Sequence, residues 1–84
     1  MIHDRQYGHR VSDLVQRFGL AVRAARRERG WAQERLSAAA DLDRTYVSGL
    51  ERGQRNPTLT TQERIAVALG CRLSELIRAA EEMQ

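Results

Sequence analysis

Apolar residues recur at helical spacing along most of the chain. Between Val11 and Arg29, the residues Leu14, Phe18, Val22 and Ala25 repeat three or four positions apart with charges on the other side, which predicts a first helix. Gly30, just after Arg27 and Arg29, reads as its stop, and Gly19 marks where its packed part begins. A second helix is expected at about 32–40 and a third at about 44–51, capped by Asp43 and stopped by Gly53. A fourth fits about 59–69 and ends at Gly70; Thr58 caps it, or Thr60 forms a capping box with Glu63. The fifth spans about 74–82, with Ser74 as cap and Leu76, Ile77, Ala80 and Met83 apolar. No segment alternates as a strand would, so the predicted fold class is all-α.

The stretch QERLSAAADLDRTYVSGLER, Gln33 to Arg52, carries most of the meaning. It holds two short amphipathic helices around a tight break, with Leu36, Ala40, Leu42, Val47 and Leu50 apolar. Small residues sit where the helices would cross. That is the layout of a helix-turn-helix, whose second helix reads DNA in the major groove. Wound at 100° per residue, the third helix buries Val47 and Leu50 on one side. Diametrically opposite lie Thr45 and Arg52, flanked by Ser48 and Gly49, with Arg44 and Tyr46 at the margins. Arg44 can engage guanine with two hydrogen bonds, Thr45 can bond a base or touch a thymine methyl, and Tyr46 and Ser48 offer hydroxyls. Gly49 would let the backbone come close. Gln33, in the first turn of the preceding helix, is placed to bond a phosphate, and Arg55 and Asn56 to hold a second one. Arg52 is assigned with them to the DNA backbone.

Eighty-four residues allow one domain and one modest core. It is divided here into an N-terminal extension over 1–16, partly flexible or helical, and a DNA-binding and dimerisation domain over 17–84. The net charge of +3 decides little, but all fourteen basic residues are Arg. Arginine's planar fork suits phosphates and guanine, whereas the codon bias of a GC-rich genome would give the same composition; position has to decide. The lone Cys71 excludes an internal disulfide and is read as a small buried apolar residue. No apolar run would span a bilayer and the N-terminus has no apolar signal region, so the expected setting is the cytoplasm, without a membrane partner. The histidines, His3 and His9, stand apart from the helices, and one cysteine cannot make zinc-finger spacing. No enzyme chemistry, metal or cofactor is expected.

From Phe18 to Ile77 the chain resembles the Cro/CI-type (XRE-like) helix-turn-helix regulators, without a gap. FGLAVRAARRERGWAQERL resembles that family's first helix and the start of its second. LDRTYVSGLERGQRNPTL resembles the recognition helix and the loop after it, and ERIAVALGCRLSEL the fourth helix and the entry to the fifth. The implied fold is the five-helix Cro/CI-like (lambda-repressor-like) DNA-binding domain. Within the family, LDRTYVSGLERGQRN is most similar to the controller proteins of restriction–modification systems, small dimers that regulate their own operon. The resemblance implies that Arg44, Thr45, Tyr46 and Ser48 read bases while Gln33, Arg55 and Asn56 hold the backbone. It also implies an inward salt bridge between Arg26 and Glu51. Helices four and five are expected to form a homodimer interface with Leu73, Leu76 and Ile77. Double-stranded DNA is the expected partner, with RNA polymerase a further contact if the protein activates. Three residues depart from the family pattern: Ala32 replaces a Ser or Thr cap, Asp41 a turn glycine and Gln62 an apolar residue. Two other functions fit a similar pattern, an antitoxin that neutralises a toxin protein and a phage-type repressor. Against the first, the tail from Arg78 to Gln84 is too short for a separate neutralising segment, although residues 1–16 could serve.

Overall fold

A computed structural model describes residues 11–83, with side chains from Asp13 onward. Five helices run in chain order: α1 Val11–Glu28, α2 Gln33–Ala40, α3 Arg44–Glu51, α4 Leu59–Leu69 and α5 Leu73–Glu82. Among the described residues there is no strand. Residues 1–10 of the expected extension lie outside the described part, whereas 11–16 are the opening turns of α1. The boundary drawn at 16/17 therefore falls inside a continuous helix.

The periodic apolar residues meet in one core. Phe18, Ala21 and Val22 of α1 pack with Leu36 and Ala40 of α2, Val47 and Leu50 of α3, Ile65, Ala66 and Leu69 of α4, and Leu76 and Ala80 of α5. The most extensive helix pairing is α1 against α5, the longest-range contact in the chain, and it holds α5 over the rest of the bundle. The α1–α3 crossing depends on Gly19: a Cβ there would collide with the Leu50 carbonyl oxygen and stand 3.1 Å from that of Glu51. Backbone cannot move aside as a flexible side chain can. Gly19→Ala should therefore lower the free energy of unfolding by about 1–3 kcal/mol, as urea melts would show; a variant as stable as the parent would mean that α1 can slide on α3 without cost.

The ends of the helices are fixed by bonds that differ in part from those expected. Thr58, not Thr60, caps α4, its Oγ1 accepting from the Thr61 N–H at 3.2 Å. Asp43 stands at the N-cap of α3 with extended backbone, but its side chain makes no capping bond. Helix α5 begins one residue before the expected Ser74 cap, because Glu75 reaches back and accepts from the Arg72 N–H at 2.7 Å. Asp41 adopts the left-handed backbone of the turn between α2 and α3, φ 57° and ψ 52°, a conformation that Asp tolerates better than most residues. Gln62 donates its amide to the Pro57 carbonyl at 3.1 Å, which accounts for a polar side chain at this half-buried position.

Position also decides part of the arginine question. The last carbonyls of a helix lack partners within it, and here remote guanidinium groups supply them. Arg64 donates to the Ala40 and Asp41 carbonyls at the end of α2, Arg29 to Leu69 at the end of α4 (2.6 Å), and Arg17 to Ala80 in the last turn of α5 (2.9 Å). Arg26 reaches the Trp31 carbonyl beyond α1 at 2.6 Å. These four are fastenings of the fold, and the Arg content is not all available for DNA. Trp31 itself is half-buried against the core, with the guanidinium groups of Arg29 and Arg35 at 5.2 and 4.9 Å from its ring centroid.

Candidate nucleic-acid interface

Helix α3 is positioned by its inner face. Val47 and Leu50 are 1 % exposed, and Glu51 beside them is 4 % exposed. Glu51 takes both branches of an Arg26 fork, Nε to Oε2 at 2.7 Å and Nη2 to Oε1 at 2.9 Å. A planar guanidinium held through two parallel bonds fixes orientation as well as distance. The hydrogen bond to Glu51 raises the Arg26 pKa above its ordinary value, burial working against it and the charge of Glu51 adding to it. Gln33 completes the group: its Nε2 donates to Glu51 Oε1 at 3.1 Å. The carboxylate thus ties α1, the entrance of α2 and the end of α3 together.

With the inner face anchored, the opposite face turns outward. Arg44, Thr45 and Arg52 are exposed, and Tyr46 and Ser48 are half-buried. Gly49 is covered rather than open: the Arg55 side chain lies over it, Nε 3.2 Å from where a Cβ would stand, and continues to 5.7 Å from the centroid of the Tyr46 ring. The absence of a side chain at Gly49 makes room for Arg55, where the sequence suggested that it lets the backbone come close. Arg55 and Tyr46 consequently form one unit on the face of α3. The Gln33 amide is turned inward toward Glu51, leaving one N–H of its NH2 and the helix terminus for a phosphate. No side chain caps that terminus at Ala32, and α2 presents its first-turn N–H groups there. Asn56 is exposed at the rim of an apolar groove of about 140 Å³, which Leu14, Phe18, Pro57 and Ile77 also line.

Two exposed residues, one beside this face and one on α2, carried no signal in the sequence. Gln54, in the loop after α3, accepts from Arg52 Nε and Nη2 at 3.3 and 3.2 Å, while Arg52 Nη1 donates to the Ser48 hydroxyl. Arg35 is the other, fixed over Trp31 at the flank of α2. Of the residues expected between subunits, Leu73 and Ile77 are half-buried, but Leu76 is 3 % exposed within the single chain. Leu76 belongs to the chain's own core, because its turn of α5 faces α1. Leu59 (70 % exposed) and Val67 (68 %) stand on α4 without cover. Cys71 is half-buried, and burial, with the charge of Glu75, pushes its thiol pKa up against the opposing pull of Arg29; little thiolate is present at neutral pH. Among the described residues no cluster of His, Cys, Asp and Glu could hold a metal ion, and no helix is long and apolar enough to cross a membrane.

Comparison with known proteins places this geometry. The family model described as "Helix-turn-helix" matches residues 22–76. The control protein C.MunI of a Mycoplasma species is 41% identical over 73 residues, 86% of this chain and 99% of that protein. The crystal structure of the restriction–modification controller protein C.AhdI from Aeromonas hydrophila superposes with a TM-score of 0.72 at 45% identity, covering 76% of this chain and 96% of that one. The controller protein C.Esp1396I, solved as a tetramer in complex with its natural 35 base-pair operator, is similar at 34% identity and a TM-score of 0.72, covering 80% and 93% of the two chains.

Proposed function

The chain belongs to the helix-turn-helix family, and on that premise we propose that it is a sequence-specific transcriptional regulator of the restriction–modification controller type, acting as a homodimer on a two-fold-related DNA site. The observation that carries the reading is the outward face of α3, where Thr45 and Arg52 stand exposed across the helix axis from the anchored Val47 and Leu50, with the exposed Arg44 at its margin. That C.Esp1396I, a similar chain, was solved in complex with its operator supports DNA binding by this fold. Arg44, Thr45, Tyr46 and Ser48 read base edges; Gln33, Arg55 and Asn56 hold phosphates. One copy of α3 reads only a few base pairs, too short an address in a genome, and a second copy related by symmetry doubles it. The second copy packs through α4 and α5 with Leu73 and Ile77, which the single chain leaves partly open. The role is binding and not catalysis, and its setting is the cytoplasm of a bacterium.

Arg44→Ala tests the base-reading assignment. The variant should fold as the parent does and lose about 1–3 kcal/mol of discrimination between its preferred site and random DNA. Fluorescence anisotropy on the two duplexes measures it. If the ratio of affinities is unchanged, Arg44 does not read a base.

A further inference from the structure

Arg52 was assigned above to the DNA backbone, but its bonds give it a narrower task. A guanidinium has five N–H donors in one plane. Nε–H and one Nη2–H of Arg52 both go to Gln54 Oε1, and one Nη1–H goes to the Ser48 hydroxyl. What remains is one N–H on each terminal nitrogen, a parallel pair at the far end of the fork. Ser48 is one helical turn earlier on α3 and Gln54 lies just past its end, so the group is held from both sides. It stands with Thr45 diametrically opposite Val47 and Leu50, on the face that enters a groove and not at its margin.

We infer that Arg52, held along its sides by Ser48 and Gln54, reads a guanine in the major groove, and that Gln54 is the positioning residue for this contact. Among base edges, only guanine offers two acceptors, O6 and N7, to a two-donor fork; adenine pairs an acceptor with a donor, thymine has a single acceptor oxygen and cytosine a donor. A fork that is already fixed loses less side-chain freedom on binding than an unheld arginine. The inference rests on the proposed DNA binding and adds to it a specificity determinant outside α3, in a loop residue that touches no base itself.

The test uses the full chain and a pool of duplexes with a randomised core. Wild type is first taken through rounds of selection to define its preferred site, and Arg52→Ala, Gln54→Ala and the double variant are then compared on that site and on its single-base-pair changes. Arg52→Ala should flatten the preference for guanine at one position in each half-site, by roughly 5- to 150-fold, with other positions unaltered. Its slope of log affinity against log salt should stay that of wild type, since no phosphate contact is lost. Gln54→Ala should weaken the preference at the same position, less strongly, and should add nothing in the Arg52→Ala background. Because the base preference is a ratio between two duplexes, and a fixed inactive fraction leaves the salt slope unchanged, a partly unfolded variant gives the same answer on both. A uniform loss across all sequences with a slope shallower by about one unit would make Arg52 a phosphate clamp and overturn the inference. So would Gln54→Ala indistinguishable from wild type. A wild type that enriches no sequence would instead overturn the proposed function, and this contact with it.

Discussion

Replacing Glu51 by alanine should cost the fold about 3–5 kcal/mol, because it leaves the Arg26 guanidinium buried and without its anion. The side chains concerned are 9 % and 2 % exposed, so water cannot take the carboxylate's place without opening the helix packing. A surface pair would give a much smaller effect. The loss is expected to be partly reversed in the double variant Arg26→Met/Glu51→Ala, where the charge is removed together with its partner and an apolar side chain fills the space. Urea unfolding of the single and double variants measures both. The same carboxylate holds Gln33 at the entrance of α2, so the single variant should also bind DNA more weakly under conditions where it remains folded. An unfolding midpoint equal to that of the parent would mean that the ion pair contributes nothing to the position of α3.

The second large effect concerns assembly. Ile77→Glu puts a charge into the groove that Ile77 shares with Leu14, Phe18 and Pro57, and should yield a folded monomer. A dimer joins two weak half-site contacts into one event, and losing that link lowers affinity about a hundredfold or more. Each binding event then involves half the phosphates, so the salt dependence should become about half as steep. Sedimentation gives the oligomeric state and circular dichroism the fold. Should the charge disturb the core, Leu73→Glu, also half-buried at the other end of the same helix face, asks the same question. A dimer that persists in both variants would place the interface elsewhere than on α5.

The sequence makes the elements of this fold plain and their fastenings obscure. Phe18, Val22, Leu36, Val47, Leu50 and Ile65 repeat with the helical period, and α1, α3 and α4 run out at Gly30, Gly53 and Gly70, so local rules suffice to place the helices and their inner faces. The same winding sets Thr45 and Arg52 opposite Val47. Local rules fail where a bond spans the chain. The C-terminal carbonyls of α2, α4 and α5 are satisfied by Arg64, Arg29 and Arg17, partners 24 to 63 residues away, and nothing near those helix ends announces them. Leu76 reads as surplus apolar area on α5 only until α1 is seen lying across it. Gly49 illustrates the opposite error: a glycine on a reading face suggests a close approach by DNA, whereas the space is filled by Arg55, six residues later. Gln54 escapes for a similar reason, since a glutamine in a polar loop has no meaning until Arg52 is found bonded to it.

Selection from a pool of random duplexes, run with wild type and with the triple variant Arg44→Ala/Thr45→Ala/Ser48→Ala, tests the central claim most directly, that α3 addresses a two-fold DNA site. Wild type should enrich an inverted repeat whose half-sites are centred about one helical turn apart, roughly 34–36 Å along the duplex. The triple variant, with the inner face of α3 untouched, should fold and enrich nothing. A wild type that recovers no common sequence, or a triple variant that recovers the same repeat, would contradict the account.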